Sequence, residues 1–115
     1  MTKITYSIGK KVTVEISGHA NAQRKNGADL CCAAESMLAY TLIDTIGRLN
    51  LPKYNICVSD GYVYISFNFA GLRSFSAVAA VKTVINGFEL LKSKYPDNVS
   101  VQKVKEVIKN EQVFH

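Results

Sequence analysis

His19 and Cys32 are the two residues of this sequence best suited to nucleophilic chemistry. Cys32 follows His19 by 13 positions, and the only other histidine is the terminal His115. An imidazole beside a thiol can take its proton, and the thiolate formed attacks a carbonyl carbon. A helix N-terminus and a nearby imidazolium both favour the thiolate. The pair therefore predicts a cysteine nucleophile with a histidine base.

Two adjacent cysteines raise the question of which one would react. Apolar residues between positions 30 and 49 recur at helical spacing. Cys31 lies within about 50° of the centre of that stripe, whereas Cys32 lies about 150° from it. We therefore expect Cys31 to be packed and Cys32 to face outward. The competing interpretation is that both are small apolar core residues, as free cysteines often are. Cys57, without a histidine in reach, is interpreted as structural.

Four further residues could support the pair. Gly18 and Gly27 flank the polar segment between His19 and the helix, either as hinges of a loop that closes over a peptide or merely as strand and helix ends. Asp29 is expected to cap the helix and could also orient the loop. Ser36, one turn after Cys32, could hydrogen-bond within the site or face solvent. The N–H groups of the first helical turn, around Cys32, could hold an oxyanion.

The elements that must position these residues follow from hydrophobic periodicity. Strict alternation indicates strands, and steps of three and four indicate helices. The pattern predicts a hairpin over 4–8 and 12–16, an exposed loop over 18–27, a helix over 30–49, strands over 54–59 and 62–69, a helix over 74–94 and a strand near 99–101. Asp60-Gly61 between two strands is typical of a type I′ turn.

This order, ββαββαβ, predicts an α+β fold in which two helices cover one face of a mostly antiparallel sheet. A chain of 115 residues is the length of one domain, and 48% hydrophobic residues are enough for a core. We assign a single domain to residues 1–108 and a flexible tail to residues 109–115.

Composition excludes several classes of protein. Three cysteines without a CxxC spacing fit neither a disulfide framework nor a zinc site, so no metal and no cofactor are expected. A redox pair of adjacent cysteines would be strained.

Residues 28–43 are interrupted by Asp29 and Glu35, which argues against a membrane span. Residues 1–7 lack the apolar core of a secretory signal, so we expect a cytoplasmic protein.

The net charge of +5 could favour an acidic partner. Many of the lysines lie in the last third of the chain without interleaved arginines and aromatic residues, which is more typical of a solvated face than of a nucleic-acid surface. A non-catalytic basic module that docks on the ribosome or on RNA stays open as the alternative function.

One segment resembles a family signature. Gly18-His19-Ala20, followed by Gly27-Ala28-Asp29-Leu30-Cys31-Cys32-Ala33-Ala34-Glu35-Ser36, is similar to the motif of the ribosomal-processing cysteine protease (Prp) family. The resemblance implies an α+β homodimer in which Cys32 is the nucleophile and His19 the general base. It also implies a cysteine endopeptidase that removes the short N-terminal extension of a large-subunit ribosomal protein, with no requirement for nucleic acid.

The sequence departs from that motif at three points. The interval from His19 to Cys32 is about one residue longer, Cys31 replaces an aliphatic residue, and Glu35 replaces an apolar one. A negative charge at position 35 favours the helix dipole but disfavours a thiolate at Cys32. A phage-related protease of the same type that acts on another protein is therefore a further alternative.

Overall fold

The computed structural model describes residues 1–18 and 28–105, with only the backbone described at positions 28 and 29. Within these residues the elements follow the predicted order ββαββαβ. They are β1 (Thr2–Ile8), β2 (Lys11–Gly18), α1 (Ala28–Arg48), β3 (Tyr54–Ser59), β4 (Tyr62–Asn68), α2 (Leu72–Lys94) and β5 (Val99–Lys103). Most of the predicted loop and all of the predicted tail lie outside the described residues.

The five described strands form one sheet in the order β3-β4-β2-β1-β5. Neighbouring strands are antiparallel except β1 and β5, which pair in parallel. A parallel pair needs a long crossover connection, and the chain between β1 and β5 includes both helices. The prediction of a mostly antiparallel α+β sheet is confirmed.

The β1–β2 hairpin has the register that the alternating pattern predicts. Ile4 pairs with Ile16, and Tyr6 pairs with Val14, so apolar side chains share one face. These residues belong to a single core cluster that also contains the buried side chains of α1 and α2. The burial of this face fixes the register, because a slip of one residue would expose every one of these side chains.

The β3–β4 turn differs in type from the prediction. Ser59 pairs with Tyr62, so Asp60 and Gly61 form the expected two-residue turn. Only Gly61 has a positive φ, of 69°, whereas a type I′ turn needs positive φ at both central residues. Glycine adopts this conformation without strain, and aspartate does so less readily. The Gly61 carbonyl accepts the Gly18 N–H at 2.8 Å, which ties the turn to β2.

The buried face of α1 agrees with the predicted stripe only in part. Cys31, Leu42 and Ile46 are buried as expected, whereas Leu30 and Met37, which fit the same helical spacing, are 70% and 68% exposed. Glu35 and Ala39 are also buried. Apolar residues surround this helix on more than one side, so periodicity alone does not select the buried face.

Helix α2 begins two residues before the predicted Ser74, whose hydroxyl donates to the Gly71 carbonyl at 2.7 Å. Phe75 lies at the helical spacing of the apolar residues of α2 but is 62% exposed, and its ring packs edge-on against Phe69 with centroids 5.0 Å apart. The other predicted core positions of α2 are buried or partly buried.

Both helices are long and apolar enough to cross a membrane by length and composition alone, over Leu30–Arg48 and Leu72–Lys94. In this fold each helix packs a stripe of side chains into the common core. Core helices pass the same length and composition test, so these two helices are weak evidence for a span.

Candidate active site

A cleft of about 330 Å³ opens between the N-terminal half of α1 and the β3–β4 turn. Helix α1 contributes Cys32 and Ser36, which lie one turn apart on the same face. Residues 58–63 form the opposite wall, and Thr2 and Gly18 line the cleft at the ends of β1 and β2. The cleft is therefore the place where the predicted cysteine comes beside the strand that leads to His19.

Cys31 and Cys32 have opposite surroundings, as their helical positions predict. Cys31 is 0% exposed and belongs to the core, whereas Cys32 is half-buried and lines the cleft. Cys57 is half-buried on β3 opposite Tyr64 and is not among the cleft residues. Of the three cysteines, Cys32 is thus the one that a substrate in this cleft can reach.

The surroundings of Cys31 also keep it in its thiol form. Burial raises the pKa of Cys31 from an ordinary value of 9.0 to about 12, and the neighbouring Glu35 carboxylate adds to the shift. Because the thiolate is the nucleophile, Cys31 is inert at neutral pH.

Glu35 lies behind Cys32 and is only 8% exposed. Its Oε1 accepts a hydrogen bond of 2.9 Å from Thr2 Oγ1, and its Oε2 accepts one of 3.6 Å from Cys31 Sγ. The sequence predicts a negative charge at position 35, but neither its burial nor its partners. One feature of the sequence pointed to this burial: Glu35 lies four residues after Cys31, on the same face of the helix, and Cys31 was expected to be packed.

Gly18 ends β2 at the mouth of the cleft. It has φ of +94°, and a Cβ at this position would lie 2.3 Å from the Met1 carbonyl oxygen. The Gly18 N–H is bonded to Gly61, so the residue is held in place by its neighbours. This backbone conformation requires glycine, so it accounts for Gly18 without a role as a hinge.

The other predicted site residues are placed as follows. Ser36 is exposed at the cleft. Asp29 is the second residue of α1 as described, and its role as a helix cap stays a prediction, because its side chain and the residue before Ala28 lie outside the described part of the chain. His19 and Gly27 lie outside the described residues. The structure therefore brings Gly18, Cys32 and Ser36 to one cleft.

Cys32 lies close to the described start of α1 at Ala28. Unpaired N–H groups lie in the first turn of a helix, and residues 19–27, which precede Ala28, are outside the described part of the chain. The expectation that N–H groups of the first turn, around Cys32, hold an oxyanion therefore stays a prediction.

The cleft combines apolar walls with an acidic character. Tyr40, Val58 and Val63 offer apolar surface, while Glu35 and Asp60 are carboxylic residues. No lysine or arginine is among the described residues that line it, although the chain carries a net charge of +5. Such a cleft suits a peptide better than a phosphate backbone.

In the part of the chain that the structure describes, no group of three or more histidine, cysteine, aspartate or glutamate side chains is arranged to hold a metal ion.

Comparison with known proteins identifies the family. The sequence profile of the family described as cysteine protease Prp matches residues 1–100. The chain belongs to this family. As a Prp-family member it is a cysteine protease, and the match includes the whole segment from Gly18 to Ser36. The resemblance noted in the sequence is confirmed.

Solved structures share the fold of this Prp-family chain. The essential ribosomal processing protease Prp from S. aureus, in complex with a covalently linked product peptide, is 21% identical with a TM-score of 0.74. That alignment covers 90% of this chain and all 100% of the S. aureus chain. SMU.848 from Streptococcus mutans is 24% identical with a TM-score of 0.71, over 90% of this chain and 94% of the other. No curated protein matches this chain in sequence.

Proposed function

We propose that this chain is an endopeptidase that removes the short N-terminal extension of a large-subunit ribosomal protein, with Cys32 as nucleophile and His19 as general base. One observation carries the proposal: of two consecutive cysteines in a Prp-family chain, only Cys32 lines a cleft, while Cys31 is buried. Similarity in fold to a protein described as a ribosomal processing protease supports this substrate class.

The chemistry follows from the two residue types. The Cys32 thiolate attacks the scissile carbonyl carbon, and the C–N bond breaks as His19 gives a proton to the leaving amine. The acyl group remains on sulfur as a thioester, which water hydrolyses to release the acid and restore the thiol. His19 follows Gly18 by one peptide bond, and Gly18 lines the same cleft as Cys32.

The walls of the cleft favour apolar residues beside the cleaved bond. Tyr40 and Tyr62 bring aromatic rings, and Val58 and Val63 bring aliphatic surface. A volume of about 330 Å³ lies at the small end of the range for ligand pockets, enough for one or two side chains. An extended segment with apolar residues near the cut is the class of substrate that fits.

We further propose that the protein acts in the cytoplasm as a homodimer. Large apolar side chains are exposed on both helices, and where such residues lie together on one surface they mark a site of protein association. They are Leu30 and Met37 on α1, and Leu72, Phe75 and Leu90 on α2. Sedimentation equilibrium tests the dimer, and a single species with the monomer mass would reject it.

Mass spectrometry of peptide cleavage tests the function. The substrate is a peptide with the N-terminal extension of the ribosomal protein from the source organism, and a scrambled peptide is the control. We expect one cut in the native peptide by wild type, none in the scrambled one, and none by His19→Ala. An intact peptide, together with ribosome binding that weakens with salt, would instead favour a basic binding module. Cleavage of a different protein in a lysate would favour the other alternative, a phage-related protease of the same type that acts on another protein.

A further inference from the structure

Glu35 has no part in the chemistry proposed above, yet it lines the cleft beside Cys32 and is only 8% exposed. Its two carboxylate oxygens accept hydrogen bonds from different elements: Thr2 Oγ1 on β1 at 2.9 Å, and Cys31 Sγ on α1 at 3.6 Å. A buried carboxylate is expensive to remove from water unless such partners hold it. Glu35 therefore joins the start of the sheet to the helical turn that carries Cys32.

Thr2 connects this carboxylate to the other side of the cleft. In the ladder between β1 and β2, Thr2 lies directly opposite Gly18. Gly18 is held by its N–H bond to Gly61, and a side chain at this position would clash with the Met1 carbonyl. The next residue in the chain is His19.

The contacts thus form a continuous path from helix to strand end. Cys32 follows Cys31 in α1, Cys31 and Thr2 share Glu35, and Thr2 faces Gly18 across the ladder. Hydrogen bonds to an ionised acceptor are shorter and stronger than neutral ones, and stronger still when buried. The path is therefore suited to fix the separation between the helix that bears the nucleophile and the strand that leads to the base.

We propose, building on the proposed function, that Glu35 is a positioning residue that acts through Thr2 to hold the turn of α1 that carries Cys32 against the end of β2 at Gly18. A carboxylate close to the nucleophile disfavours the thiolate by charge alone, so its presence is better explained by the link that it makes to β1. Loss of that link displaces Cys32 from the end of β2, and a displacement of about 1 Å can lower a rate by about two orders of magnitude.

The test removes the hydrogen bond between Thr2 and Glu35 by a substitution at Thr2, because that substitution changes the side chain least. Thr2→Val keeps the shape but deletes the hydroxyl donor, and Thr2→Ser keeps the donor. Glu35→Gln keeps an acceptor without the charge, and Thr2→Val combined with Glu35→Gln completes a double-mutant cycle. Ser74→Ala is the matched control, because it deletes another buried hydroxyl bond, at the start of α2 and away from the cleft.

Two rates are measured on each variant, both per folded molecule as determined by circular dichroism. The first is cleavage of the extension peptide, resolved into kcat and KM. The second is alkylation of Cys32 by iodoacetamide, which needs no substrate and is mapped by mass spectrometry. Cys32→Ala is included, and cleavage by this variant at the wild-type rate would reject the proposed function whatever the Thr2 variants do.

We expect Thr2→Val to lower kcat by about tenfold or more with KM changed less than about twofold, and to slow Cys32 alkylation. Thr2→Ser should restore most of kcat, and the double variant should be no worse than the more severe single one. Wild-type kcat in Thr2→Val, or a loss no larger than in Ser74→Ala, would overturn the positioning role. If no form cleaves the peptide, equal alkylation rates in wild type and Thr2→Val would overturn it.

Discussion

Cys31 and Cys32 are consecutive residues of α1, and one is fully buried in the core while the other lines the cleft. Consecutive helical residues point about 100° apart, so a helix packed on a sheet can separate two neighbours in this way. The helix thereby gives two chemically identical side chains different surroundings. Only the second is in contact with a site where a peptide could bind.

The first prediction concerns selective alkylation. Iodoacetamide at pH 8 should modify Cys32 in the folded protein faster than Cys31 by roughly a hundredfold or more, because Cys31 is inaccessible and stays protonated. Peptide mapping by mass spectrometry distinguishes the cysteines, and in denaturant the two should react at similar rates. Comparable rates for both in the folded protein would contradict the assignment.

The second prediction concerns stability at high pH. The folded-state pKa of Cys31, about 12, is above its ordinary value of 9.0. At a pH between 9.0 and about 12 the folded state binds more protons than the unfolded state. The contribution of the Cys31 thiol to the free energy of unfolding is therefore fully present below pH 9.0 and is lost as pH rises towards 12.

Cys31→Ala removes this titration, although it leaves a small cavity and is less stable than wild type at neutral pH. The difference in free energy of unfolding between wild type and Cys31→Ala should therefore shrink above pH 9.0. Urea unfolding from pH 7 to 11 measures it. A difference that stays constant over this range would show that Cys31 titrates normally.

A series of three glycines tests the end of β2. Gly18→Ala meets both a positive φ and the Met1 carbonyl, whereas Gly71 has φ of +84° with open space around it. Gly9 has open space and no positive φ. We expect Gly71→Ala to destabilise by about 1–3 kcal/mol, Gly18→Ala by more than that, and Gly9→Ala by less than about 0.5 kcal/mol. Thermal unfolding gives the order, and equal losses at positions 18 and 71 would refute the close approach.

A substitution at Ser36 can cover the cleft without changing the other residues that line it. Side chains on a helix lean towards its N-terminus, so a large residue at position 36 would lie over Cys32. Ser36→Trp should lower kcat/KM by at least about tenfold. Thr41→Trp is the control, because Thr41 is exposed on the same helix and neither lines the cleft nor belongs to the proposed dimer surface. The assignment of this cleft as the active site fails if both variants cleave at the same rate while both remain folded.

Much of the fold could be predicted from local patterns. Alternation sets the register of Ile4 with Ile16, because one buried face admits a single register. The two-residue turn at Asp60-Gly61 sets the register of Val58 with Val63. Helical spacing separates Cys31 from Cys32. These features depend on residues close in sequence, so a periodic pattern contains the information.

The rest depends on tertiary contacts. Leu30 and Phe75 fit the helical pattern but are exposed, because the buried face of a largely apolar helix is selected by what packs against it. The contact of Glu35 with Thr2 could not be predicted, because the two residues are 33 positions apart. The hydrogen bond from the Gly18 N–H to the Gly61 carbonyl likewise joins residues that are distant in sequence.

The central claim is that Cys32, and not its neighbour, performs the proteolysis. The most direct test measures cleavage of the extension peptide by wild type, Cys32→Ala and Cys31→Ala in parallel, with products identified by mass spectrometry. We predict that wild type and Cys31→Ala cut the same bond and that Cys32→Ala leaves the peptide intact. Cleavage by Cys32→Ala at the wild-type rate, or its loss in Cys31→Ala alone while that variant remains folded, would contradict the account.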